Sequence, residues 1–213
     1  MSINHLFLED LKKTLNNYKK AKLLIVTKNQ TYSDISDLLK SGHRLFGENR
    51  VQEALLKYTK SVFEEYSDIN LDLIGPLQTN KTRQALLLFD SIQSLDRKKL
   101  IDEIYKLKNK MEYTKTKNFY LQVNIGMEKQ KAGVNPKEVN SLYQYAMSLN
   151  INIVGLMCIP PFDQNPIKFF KEMNAIRNNI NKNLILSMGM SSDYNYALEN
   201  GSDLIRIGSK IFN

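Results

Sequence analysis

Cysteine occurs once in 213 residues, so no disulfide can form within the chain. That residue, Cys158, lies in the apolar run 154–159, where a thiol is expected to be buried and inert. A chain without internal disulfides fits a reducing cytoplasm. Histidine is almost as scarce. His5 sits near the N-terminus and His43 follows a glycine turn, and two histidines without a cysteine cluster make no zinc site of familiar spacing. No metal is therefore expected. Neither Gly-x-x-x-x-Gly-Lys-Ser/Thr nor Gly-x-Gly-x-x-Gly is present, which removes both common nucleotide loops, and Gly208-Ser209-Lys210 is too short a fragment to stand for either. No apolar stretch reaches the roughly 18 residues needed to cross a bilayer. Glu9 and Asp10 interrupt the segment where an export signal needs a continuous apolar core, so no membrane association is expected. Arginine is also sparse. Only six of the 30 basic residues are arginine, and they are scattered. The net charge of +8 therefore reads as a bias toward lysine, asparagine and isoleucine. A nucleic-acid surface would cluster arginine with interleaved aromatics.

What the chain does contain is enough apolar material for a sizeable core, at 42% hydrophobic residues, and a regular alternation of elements. Runs rich in β-branched and apolar residues predict strands at 23–27, 44–46, 71–74, 90–95, 119–124, 153–158, 184–187 and 203–207. Segments with helical spacing or helix starts lie between them, at 33–39, 49–58, 79–88, 97–110, 136–149, 166–181 and 192–200. An opening helix at 6–18 precedes the first strand. Pro136 suits a first helical turn, and Gly201 a C-terminal cap. Eight strands separated by helices predict an α/β protein with a parallel sheet, and eight is the count of a closed (β/α)8 barrel. A doubly wound open sheet is the alternative.

In a barrel, ligand chemistry gathers at the C-terminal ends of the strands, with phosphate favoured after the seventh and eighth. The least expected residues fall there. Lys28 closes the first strand, Gly47-Glu48-Asn49 follows the second, and Gly75-Pro76-Leu77-Gln78 the third. Ser187-Met188-Gly189-Met190-Ser191 follows the seventh, and Arg206-Ile207-Gly208-Ser209 ends the eighth. A lysine at a strand end is usually a solvated terminus. Beside an apolar barrel mouth its ammonium would be partly desolvated, which favours the neutral amine that condenses with aldehydes. The two glycine–serine turns suit an anion cradle of backbone N–H groups and hydroxyls, although any α/β protein has such turns. Arg206 interrupts an apolar run. It needs either a bound ligand or an ion-pair partner within the protein.

Together these motifs resemble the pyridoxal phosphate homeostasis proteins, the YggS-like family. The resemblance is carried by Val26-Thr27-Lys28, Phe46-Gly47-Glu48-Asn49 with Gln52-Glu53, and the run from Ile74 to Lys81. It continues through Gln122-Val123-Asn124, Gly155-Leu156-Met157, the segment 186–191 and the segment 205–212. It implies one pyridoxal 5′-phosphate-binding domain over 1–213, a TIM-type barrel like the N-terminal domain of alanine racemase with an extra N-terminal helix. By position, Lys28 would carry the cofactor as a Schiff base and Arg206 would face the pyridine nitrogen. Ser187, Gly208 and Ser209 would hold the phosphate, and Asn49 would lie beside the ring. The implied role is vitamin B6 homeostasis: carrying or buffering the cofactor, without catalytic residues, in a cytoplasmic monomer that serves pyridoxal phosphate-dependent apoenzymes. A small racemase-like enzyme acting on amino acids is the alternative. It would need a second acid/base on the opposite ring face, whereas the sequence stops seven residues after Arg206. Three features depart from the family pattern. Leu71-Asp72-Leu73 stand where an aromatic and a histidine are frequent, Arg50 follows Gly-Glu-Asn where tyrosine is frequent, and Asn213 ends the chain where glycine is usual.

Overall fold

The computed structural model describes residues 3–18 and 20–212; the departure at Asn213 lies outside the described residues. Eight parallel strands close into a barrel in sequence order. They are β1 (Lys22–Val26), β2 (Leu45–Glu48), β3 (Asn70–Leu73), β4 (Ser91–Leu95), β5 (Asn118–Val123), β6 (Ile153–Cys158), β7 (Ile185–Ser187) and β8 (Leu204–Ile207). Closure is made by β1 and β8, with Lys22 opposite Leu204 and Ile25 opposite Ile207. The helices are α1 (His5–Asn16), α2 (Tyr32–Lys40), α3 (Val51–Lys57), α4 (Lys60–Glu65) and α5 (Thr82–Leu88). They continue with α6 (Lys98–Lys110), α7 (Val139–Ser148), α8 (Ile167–Ile180) and α9 (Tyr194–Glu199). The closed barrel with its preceding N-terminal helix is the expected fold, and the open sheet is excluded.

Side-chain alternation along each strand sorts the core into two shells. Leu23 and Ile25 join the large cluster between strands and helices, with Ile35 and Leu38 of α2, Ile104 of α6 and Phe170 of α8. Each fully buried side chain of this kind is worth roughly 1.5–3 kcal/mol. Leu24, Val26 and Leu204 form a separate small cluster within the barrel, fringed by Leu45, Ile74 and Ile185. The rest of the lumen is mostly polar, with Asp72, Gln93, Ser187 and Arg206 all buried. Stability therefore comes from the outer shell, and the lumen is left for chemistry.

Local differences from the sequence reading have simple causes. The helix expected over 49–58 ends at Lys57, and a second helix, α4, follows at once. α4 buries only Val62, too little apolar periodicity to read. Pro136 opens a 3₁₀ turn at Pro136–Glu138, capped by the Asn135 side chain, which leads into α7. Gly201, at φ +85°, takes the left-handed position just past α9, as a C-terminal cap requires.

Candidate functional site

Lys28 lies two residues beyond Val26 and continues the lumen-facing parity of Leu24 and Val26, which places it at the C-terminal mouth. It is exposed, so the partial desolvation expected there is not provided by the protein alone. Its flanking residues are held firmly. The Thr27 hydroxyl donates to Glu48 Oε1 at 2.6 Å and accepts from the Tyr58 hydroxyl at 2.9 Å. The Thr27 carbonyl accepts from Lys57 Nζ at 2.7 Å. On the other side, the N–H of Asn29, a residue at φ +62°, donates to Glu53.

Lys57 is the centre of this clamp. Its ammonium, buried beneath the mouth, lies 2.6 Å from Glu48 and 2.8 Å from Glu53. Burial pushes the Glu48 carboxyl up, against the opposing pull of Lys57 and Thr27, and leaves Glu48 Oε2 without a hydrogen-bond partner. Burial also works to raise Glu53, but the hydrogen bonds from Lys57 and from the Asn29 N–H outweigh it and hold that carboxyl low. The sequence alone does not mark Lys57 or Tyr58 as special. The spacing of Glu53 and Lys57 marks an ordinary i, i+4 helix pair, and only the fold brings Glu48 against it.

Asn49 follows β2 half-buried, and its backbone presses on Gly75, where a β-carbon would run into the Asn49 carbonyl. The glycine after β3 thus lets the second and third loops close on each other. Across the mouth, Ser187 ends β7 with its hydroxyl fully buried. It donates to Gln93 Oε1 at 2.6 Å and accepts from Arg206 Nη1 at 2.8 Å. Arg206 Nη2 donates to the Cys158 carbonyl at 2.8 Å. Arg206 is thus satisfied by a hydroxyl and a carbonyl and, among the described residues, has no carboxylate within ion-pair distance. Burial lowers its pKa from the usual value. The N–H groups of Gly189, Ser191, Gly208 and Ser209 make no hydrogen bond among the described residues, which leaves a set of free donors after strands β7 and β8. Cys158 is buried as expected, and burial pushes its thiol up to about 12.

Asp72, one of the departures from the family pattern, lies inside the barrel. Gln93 Nε2 donates to its Oδ2 at 2.6 Å, and its Oδ1 has no hydrogen-bond partner. Burial raises this carboxyl to about 6, with Gln93 and Ser91 pulling the other way. A raised folded-state pKa means the folded chain keeps the proton to higher pH than the unfolded chain. The associated stability is complete below the ordinary 3.8 and is lost as pH rises to about 6. Asp72→Asn should therefore gain about 3 kcal/mol on the parent chain between acid pH and neutrality. Urea titrations of both chains at the two pH values measure this, and a constant difference would show a carboxyl that titrates as it does in water.

Residues 8–213 match the family described as alanine racemase, N-terminal domain, so the chain belongs to that class of barrels. Within it, the relatives are narrower. A pyridoxal phosphate homeostasis protein of Aquifex aeolicus is 37% identical over 205 residues, covering 90% of this chain and 86% of that one. The structure of PipY from Synechococcus elongatus without pyridoxal phosphate superposes with a TM-score of 0.87 at 30% identity, over 97% of this chain and 98% of that one. The same protein with pyridoxal phosphate bound gives 0.79 at 30% identity, over 91% and 93%. The chain belongs to the pyridoxal phosphate homeostasis protein family.

Proposed function

We propose that this chain is a single barrel domain that binds pyridoxal 5′-phosphate at the C-terminal mouth, and that it carries or buffers the cofactor and does not turn over a substrate with it. The observation that carries this reading is the convergence of three groups at one mouth. Lys28 is on the lumen register, Arg206 is buried with no carboxylate within ion-pair distance among the described residues, and free N–H groups follow β7 and β8. Each suits one part of the cofactor. The Lys28 amine can condense with the aldehyde, losing water and forming a C=N bond. The free N–H groups of Gly189, Ser191, Gly208 and Ser209 suit a phosphate dianion. Asn49, half-buried on the loop after β2, would border the ring.

Ser187 has one hydroxyl hydrogen, and Gln93 already receives it. Its part in the site is to orient Arg206, and the phosphate falls to the N–H groups and Ser209. Arg206 is a donor only, so toward a pyridine nitrogen it favours the unprotonated form. When bound, pyridoxal phosphate supplies an electron sink, and an unprotonated ring is a weak one. This favours holding over racemase-like turnover. PipY is described with pyridoxal phosphate bound, and the relative from Aquifex is named for pyridoxal phosphate homeostasis, both consistent with this role. No helix among the described residues is long and apolar enough to cross a membrane. We take the working form to be a cytoplasmic monomer that passes the cofactor to apoenzymes and binds no nucleic acid.

Borohydride reduction of the cofactor-loaded protein, followed by peptide mapping, tests the assignment. The phosphopyridoxyl mass should fall on the peptide containing Lys28. An adduct mainly on Lys22 or Lys81 would overturn it.

A further inference from the structure

At the other end of the barrel a cavity of about 950 Å³ opens at the N-terminal ends of the strands. Its charged groups fall into two sets. Arg44 is paired with Asp68 at 2.6 Å, and Arg177 with Asp203 at 3.2 Å, so these walls are self-neutralised. The others are not. Lys20, Lys22 and Lys182 line the cavity, are exposed, and have no ion-pair partner among the described residues. Asp72 lines it from within the lumen, 3% exposed, with Oδ1 unpartnered. Close by, the Tyr120 hydroxyl is on a buried side chain and makes no hydrogen bond among the described residues.

A buried acceptor with an unused lone pair favours a ligand that brings a donor, above all a charged one. A simple cation would meet three unpaired lysines on a chain of net charge +8. A simple anion would satisfy the lysines and then face the Asp72 carboxylate. Only a ligand carrying both groups relieves both ends. We propose that the N-terminal mouth is a second ligand site for a small molecule of amino-acid type, its amino group on Asp72 and its acid group on the lysine rim. The site is separate from the cofactor mouth, and Asp72 rather than Lys28 defines it.

The test is calorimetric titration of L-glutamate into the full chain in two forms: unloaded, and loaded with pyridoxal phosphate then reduced with borohydride so that the C-terminal mouth is blocked. Mass spectrometry of the reduced sample reports separately whether the cofactor was taken up, so failure of the cofactor assignment is read independently. L-glutamate should bind both forms alike. Glutarate, which lacks the amine, and putrescine, which lacks the acid, should each bind at least about ten-fold more weakly. Asp72→Leu should weaken L-glutamate by a similar factor. Lys22→Glu, at an exposed position where folding is not at stake, should weaken it too, and decides the matter if Asp72→Leu does not fold. The proposal is overturned if neither form binds, if reduction abolishes binding, if putrescine or glutarate equals L-glutamate, or if Lys22→Glu leaves the affinity unchanged.

Discussion

Lys28→Ala should remove covalent attachment of the cofactor entirely, yet leave a folded protein that still binds pyridoxal phosphate reversibly. Lys28 is exposed and makes no hydrogen bond or ion pair among the described residues, so its loss should change stability by no more than about 0.5 kcal/mol. The free N–H groups after β7 and β8 and the Arg206 guanidinium remain in place. Hydrogen bonds to a charged group are worth about 1.5–3 kcal/mol each, so several of them keep binding measurable. Absorbance and borohydride trapping follow the covalent form, and equilibrium dialysis follows the remainder. A folded Lys28→Ala protein with no affinity at all would mean that the anion cradle is wrongly drawn.

The other lysine at this mouth behaves in the opposite way. Lys57→Met should destabilise the protein by about 3–5 kcal/mol, because it strands two carboxylates that the ammonium now serves. Glu48 is fully buried and would keep only the Thr27 hydroxyl. The Thr27 carbonyl would lose its partner in the same step. Glu48 is already pushed up by burial, and without Lys57 it is pushed further, so the deficit should be largest at neutral pH and shrink in acid as Glu48 takes up a proton. Chemical denaturation across pH reads this directly. A loss that is the same at all pH values would show that packing, not the stranded charge, causes it. Loosening of the 27–29 turn should also slow cofactor attachment to Lys28 in the surviving folded fraction.

The contrast between these two lysines shows what a sequence can and cannot disclose. Lys28 stands out in the sequence because it follows an unmistakable apolar strand, in a motif shared with the family. Lys57 looks like one half of a surface helix pair with Glu53, and its buried partner Glu48 arrives from β2 only when the barrel closes. The same applies to Gln93 and Ser187, which are far apart in the chain and 2.6 Å apart in space. Strand runs and the barrel count were readable because outer-shell positions such as Leu23, Ile25, Phe119 and Leu186 impose β-type apolar patterning. From its apolar run alone, Arg206 reads as a residue in need of a partner. Among the described residues, its hydrogen-bond partners are the Ser187 hydroxyl and the Cys158 carbonyl, and no carboxylate lies within ion-pair distance. Asp72 stood out as a departure from the family, but nothing in the sequence said that it faces the lumen.

The lumen also has a sense of direction. Arg206 on β8 donates to Ser187, Ser187 donates to Gln93, and Gln93 donates to Asp72 on β3. Every bond in the series runs the same way, so turning one member round would set hydrogen against hydrogen at one junction and oxygen against oxygen at the next. Such a head-to-tail series polarises its own members, each bond strengthening its neighbours. The consequence is a built-in handedness of chemistry. A molecule entering from the C-terminal mouth meets the donor end of the series and must bring an acceptor. One entering from the N-terminal mouth meets the acceptor end and must bring a donor.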